Sequence, residues 1–324
     1  MVLLTLLLAA HAASAQVTLP PIPEPALAPI ASEAATPQTP EVGASRDVVD
    51  PALEAFVAKL AFEGTDQERA LLRALAARVL QSPTLRELAA IFAAGQGAVT
   101  TRFADFPSTY IYDHKDGRLS FAGAQAAHVL RAADGARIEL NTACLKIDPD
   151  YALDECGEHL AHEALGHTLG WVDAGPAGVR EAYLYYDDEY WSRLVSWTFN
   201  VEVVGHTIDP EPWCAMSDPG AYMLRLKKVY PASAASLSQS EFRDPGAALH
   251  AHFTAATCAE CRGWITPILA GFEGEGGAAL AGKLRAAADS PLFPALDARA
   301  EALRRRLLAR PESFFQYDAC SEYL

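Results

Sequence analysis

The amino-acid sequence predicts a mainly helical α+β protein in which a small sheet leads into one long helix dense with ionisable groups. Leucine and alanine recur at helical spacing over 52–94 and again over 276–310, and short alternating segments lie between 109 and 140. Between the two helical regions, Glu158-His159-Leu160-Ala161-His162-Glu163-Ala164-Leu165-Gly166-His167 gathers three of the chain's nine histidines. An even spread would put roughly a quarter of one histidine in a nine-residue window, so the cluster exceeds what composition supplies.

Taken in order, residues 1–15 form an apolar run ending Ala13-Ser14-Ala15, the pattern of a secretory signal cleaved before Gln16, without the usual basic start. It is too short to span a bilayer, which takes about 20 apolar residues. Residues 16–46 are rich in proline and alanine, a composition that builds no core and reads as an extended linker. The folded domain is expected over 47–324, with a helical C-terminal subdomain from about 245. Within it, Thr109-Tyr110-Ile111-Tyr112 and Arg118-Leu119-Ser120-Phe121 bracket a Lys115-Asp116-Gly117 turn as a hairpin, and Arg137-Ile138-Glu139-Leu140 alternates like a strand.

The next element is the histidine helix. Asp150 or Asp154 can cap its start, no proline follows through Trp171, and Gly170 stands near its end. At about 100° per residue, Leu160, Ala161, Ala164, Leu165, Thr168 and Leu169 share a buried face, while His159, His162, Glu163, Gly166 and His167 share the opposite one. A solvated face normally carries lysine and arginine; this one carries neither, which points to a metal site.

The string His162-Glu163-Ala164-Leu165-Gly166-His167 holds one residue more than His-Glu-x-x-His. On a regular helix its histidines would point about 140° apart, so a shared ion requires a one-residue π-bulge, which Gly166 would ease. The form His-Glu-x-x-Gly-His resembles, over these six residues, the signature of the dipeptidyl peptidase III family of zinc exopeptidases. That resemblance implies a zincin-like core with Zn2+ as cofactor, His162 and His167 as metal ligands, and Glu163 as the catalytic general base.

A third ligand is expected from Glu202, which sits in the apolar run 197–206 where an unpaired carboxylate is costly, with His206 one turn on. Glu181, Asp187, Asp188 and Glu189, in an aromatic and acidic stretch, are the reserves. A competing geometry uses the i, i+4, i+8 stripe His159, Glu163, His167 on an undistorted helix, with Glu163 as a ligand and no catalysis.

Six cysteines behind a secretion signal favour disulfides. Cys144 and Cys156 bracket the approach to the helix and are expected to pair. Cys258 and Cys261 could bond locally, could pair with Cys214 and Cys320, or could join His250 and His252 in a second zinc site; a thioredoxin-like role lacks the βαβ frame. A formal charge of −15 gives no footprint for nucleic acid. The expected protein is a secreted or periplasmic zinc-dependent peptidase acting on a peptide or protein substrate, without a membrane span. The alternative is a non-catalytic secreted metal-binding or interaction protein.

Overall fold

The computed structural model describes residues 50–324 apart from 114–117, 124–126, 133, 176, 208 and 317–319. The signal-like run, the linker and the Lys115-Asp116-Gly117 turn lie outside the described residues.

Three helices open the fold: α1 (Pro51–Leu60), α2 (Asp66–Val79) and α3 (Pro83–Ala94). Each starts where a side-chain oxygen accepts a free backbone N–H, from Asp50, Thr65 and Ser82 respectively, and Thr65 with Glu68 completes a capping box. Their apolar stripes bury Phe56, Leu60, Leu72, Leu75 and Phe92, with the two phenylalanine rings edge to face at 5.6 Å.

Strands β1 (Ala98–Ala104), β2 (Ser108–Asp113), β3 (Arg118–Gly123), β4 (Ala127–Arg131) and β5 (Gly135–Asn141) follow. β2 and β3 form the expected antiparallel hairpin, with Tyr112 opposite Leu119. The other three make a sheet in the order β1-β5-β4, in which β5 is parallel to β1 and antiparallel to β4. Alternation along β5 buries Ile138 and Leu140 on the helix side. Glu139, itself buried, meets Arg102 and His128 from the flanking strands.

β5 feeds through a 3₁₀ turn (Thr142–Leu145) into α4 (Pro149–Ala161), and the Cys144–Cys156 disulfide pins the two together as expected. The cap of α4 is neither Asp150 nor Asp154 but Asp148, whose carboxylate accepts the Asp150 N–H; Pro149, which lacks an N–H, fills the first helical position. Asp154 instead pairs with Arg78 at 2.7 Å. The helix continues as a π-helical segment (His162–Thr168) and then α5 (Leu169–Asp173).

α6 (Ala177–Tyr183) leads to α7 (Glu189–Phe199), which packs along the π-helical segment and ends in a second π turn (Asn200–Val204), closed by Gly205 at φ 101°. The remainder is helical: α8 (Glu211–Ser217), α9 (Pro219–Val229), α10 (Pro231–Ala235), α11 (Pro245–Ala255), α12 (Ala259–Glu273), α13 (Gly277–Ala287) and α14 (Leu292–Leu308). Asp218 and Asp244, each followed by proline, cap α9 and α11. Cys214–Cys320 ties α8 to the C-terminal segment, and Cys258–Cys261 closes the first turn of α12, so all six cysteines are bonded. Among the described residues, no helix is long and apolar enough to cross a membrane.

Candidate metal centre

The extra residue between His162 and His167 is absorbed where the spacing requires it. The segment His162–Thr168 is π-helical, and the two imidazoles turn toward each other with their Nε2 atoms 3.1 Å apart. A widened turn strains the backbone ladder, and side chains bond three of its carbonyls: Thr168 Oγ1 donates to Glu163 O at 2.7 Å, Trp191 Nε1 to Leu165 O at 3.0 Å, and Arg131 Nη1 to His167 O at 2.8 Å. Gly166 faces α7 so closely that a Cβ there would stand 2.7 Å from the Ser192 Cα. Glycine is therefore demanded by the approach of the second helix as well as by the bulge.

The start of α7 supplies the third donor. Glu189 Oε2 lies 3.5 Å from His167 Nε2, and one ligand atom each from His162, His167 and Glu189 fall within 4.8 Å of one another. Three consecutive buried carboxylates occur here, and each has its own cation. Asp187 pairs with Lys227 at 3.1 Å, Asp188 with Arg131 at 2.6 Å, and Glu189 with Arg193 at 2.7 Å. The positive end of α7 adds to their stability.

These partners aim the donor atoms. His167 Nδ1 sits 2.7 Å from Asp188 Oδ1, so the ring donates there and turns its Nε2 lone pair toward the cluster. His162 Nδ1 is 3.1 Å from Ser196 Oγ, leaving its Nε2 inward as well. Arg193 holds Oε1 of Glu189, while Glu189 Oε2 and Glu163 Oε2 are buried with no hydrogen-bond partner. One nitrogen from each histidine and a carboxylate oxygen of Glu189 thus form one cluster of possible metal donors, and Glu163 Oε2 is a further buried oxygen without a hydrogen-bond partner.

The electrostatics agree. Burial pushes the Glu163 carboxyl up to about 7, with Glu189 adding to the rise. Burial drives His162 down to about 3, helped by His167. Burial opposes charge on His167 too, but the Asp188 carboxylate overrides it and lifts that ring to about 10. A pocket that raises one histidine so far strongly favours positive charge.

The His162–His167 pair is spaced for a shared metal ion. Two nitrogens each about 2.0–2.1 Å from one zinc stand ~3.3 Å apart, close to the 3.1 Å found here. The histidine rings keep some surface while Glu163 and Glu189 are buried, at 6% and 3% exposure.

Glu202, expected as the third ligand, lies elsewhere. It accepts from Ser82 Oγ at 2.5 Å, Thr84 Oγ1 at 2.8 Å and Thr84 N at 3.2 Å, at the N-terminus of α3, where a helix dipole and two hydroxyls satisfy its charge. His206 is exposed beyond Gly205. His159, the alternative ligand, faces Glu155 at 3.6 Å and stands outside the donor cluster, because the π-helical turn replaces the straight stripe. Among the reserves, Glu181 pairs with Lys283, and Glu189 takes the place given to Glu202. The signal for Glu189 was an acidic run inside an aromatic stretch too apolar to be a solvated face.

The second zinc site does not form. Cys258 and Cys261 are bonded to each other, His252 bonds Glu241 at 2.7 Å, and His250 faces Glu273 at 3.4 Å. A cavity of about 560 Å³ is lined by Tyr186, Asp187, Asp188, Trp191 and Lys227 among others; none of His162, Glu163, His167 or Glu189 lines it. Its lining includes Asp188, which holds His167, and Trp191, which bonds the Leu165 carbonyl. No protein-family model, curated protein or solved structure matches this chain.

Proposed function

We propose that this protein is a zinc-dependent peptidase with a zincin-like centre, acting on peptide or protein substrates outside the cytoplasm. The observation that carries the reading is the convergence of His162, His167 and Glu189 on one point, with the otherwise unemployed Glu163 carboxylate within electrostatic reach of His167 and Glu189. Two imidazoles and one carboxylate suit zinc, and partly exposed rings are what a site with one open position requires. Three disulfides suit an oxidising compartment.

When bound, zinc supplies Lewis-acid chemistry, polarising a carbonyl and acidifying water. The chain's own residues do the rest. Asp188 fixes the His167 tautomer, Ser196 orients His162, and Arg193 leaves only Oε2 of Glu189 free for the ion. Glu163 Oε2 accepts a proton from the attacking water and delivers it to the departing amine. Among the described residues β4 is an edge strand of its sheet, and its last residue, Arg131, bonds the His167 carbonyl. An extended peptide added alongside β4 would therefore run past the donors.

The test combines metal content with turnover. Protein purified without chelator should carry about one zinc per chain and hydrolyse members of a peptide library. Glu163→Gln should keep the metal and lose about 10²-fold or more in rate, since a base can be removed without dismantling the coordination sphere. Metal lost together with activity would make Glu163 a ligand and sink the peptidase reading.

A further inference from the structure

We propose that the Cys258–Cys261 disulfide is a second reactive site, one that exchanges with thiolates and so oxidises thiols independently of the metal centre. The two cysteines are three positions apart at the start of α12, a helix of 15 residues. Cys258 is the N-cap, and its Sγ accepts the Cys261 N–H at 2.9 Å. Its partner is fully buried whereas Cys258 keeps surface, so an incoming group reaches only one of the two sulfurs.

Loop closure gives this bridge little weight. A cross-link stabilises mainly by closing a loop in the unfolded chain, and a separation of 3 closes almost none, against 106 for Cys214–Cys320. The start of α12 is also held without it, because Thr257 donates both its N–H and its hydroxyl to Lys228 O, at 2.9 and 3.1 Å. Cys144, Cys156 and Cys214 are buried, and of the two half-buried cysteines, Cys258 and Cys320, only Cys258 caps a long helix whose first turn stabilises a leaving thiolate.

The chemistry balances locally. A thiolate attacks Cys258 Sγ, a mixed disulfide forms, and the electron pair of the broken S–S bond passes to Cys261 Sγ, which takes up a proton. The Lys228 carbonyl, 3.7 Å from that sulfur, can then accept the new S–H. A second thiol of the same substrate attacks the substrate's sulfur in the mixed disulfide, and the substrate leaves oxidised. Cys258 departs as a thiolate, its charge stabilised by the Cys261 N–H and the positive end of α12. Two electrons have moved from a dithiol to the pair, and oxidised glutathione restores it by the reverse steps. No βαβ frame is needed, because the groups that favour the leaving sulfur belong to the first turn of α12.

The experiment uses the full chain in glutathione buffers of graded redox ratio, quenched by alkylation and mapped by mass spectrometry. Cys258–Cys261 should open reversibly while the other two bridges stay closed, with glutathione found on Cys258; in Cys261→Ser that adduct should approach one per chain. A second arm supplies a reduced dithiol peptide with oxidised glutathione as the terminal acceptor. Oxidation about tenfold faster than that of glutathione at equal thiol assigns the site to peptides, and an equal rate assigns it to small thiols. A wild-type bridge that opens only in denaturant, or only together with the other two, overturns the proposal. Neither arm reads hydrolysis, so a failed peptidase reading leaves this test intact.

Discussion

Asp188 accepts the His167 Nδ1–H on one oxygen and holds Arg131 on the other, so a single carboxylate fixes a donor's tautomer and ties β4 to the bulged helix. Asp188→Asn keeps the shape but can no longer enforce the tautomer, and metal affinity should fall about 10–100-fold in chelator competition. Unchanged affinity would remove Asp188 from the site. Glu202 is the opposite case: Glu202→Ala should leave metal content untouched yet cost about 1–3 kcal/mol in denaturation, since Ser82 and Thr84 lose their acceptor. Loss of metal from that variant would return Glu202 to the coordination sphere. A third residue governs acid stability. Burial works against charge on Glu241, but His252 and the Ser238 N–H hold it down at about 2. Because its folded value lies below the ordinary 4.5, this stabilisation is complete above that pH and is lost as pH falls toward 2. Glu241→Gln should therefore flatten the stability curve over that window, measured by urea denaturation at stepped pH, and an acid limb as steep as the wild type's would refute it.

At the scale of elements, the bulged helix and α7 act as a pair. Gly166 lets Ser192 approach, and Trp191 bonds Leu165 O from the same helix. Gly166→Ala should push α7 away, cost about 1–3 kcal/mol by overpacking and weaken metal binding together with stability, because Glu189 rides on α7. A variant with lowered stability but full metal affinity would show that the donors tolerate the displacement. The bulge itself was legible in the sequence, because an i, i+5 histidine pair can share an ion only on a widened turn. The β2–β3 hairpin was legible from its turn residues. The third donor was not, because Glu189 and Glu202 both look like glutamates stranded among apolar neighbours. What separates them is tertiary: Thr84 reaches Glu202 across 118 residues, and Arg131 reaches Asp188 across 57. No local period encodes such partners. The same holds for the cap of α4, expected at Asp150 or Asp154 and held instead by Asp148.

At the scale of the whole molecule, a net charge of −15 must be accommodated, and seven α-helices, from 5 to 17 residues long, make up the chain from 211 to 308. Of the buried carboxylates of 187–189, Asp187 and Asp188 are paired with α9 and β4, which converts part of that charge into long-range ties, while Glu189 pairs with Arg193 one turn along α7. Two of these helices, α8 and α12, carry disulfides, and the pairing was only half legible, since Cys258 and Cys261 could have bonded to Cys214 and Cys320 by spacing alone. Loop length gives the bridges unequal weight. Closing 106 residues removes about 4–5 kcal/mol of unfolded-chain entropy, while a closure of 3 removes about 1–2 kcal/mol. Cys214→Ser with Cys320→Ser should therefore lower stability by several kcal/mol and loosen the C-terminal segment, readable as faster amide exchange around 320–324. Cys258→Ser with Cys261→Ser should lower it by the smaller amount and leave exchange in α14 unchanged. Equal losses for the two double variants, measured by the same urea titration, would mean that strain or residual unfolded-state structure outweighs loop closure. They would also give the short bridge a structural weight that its span does not explain.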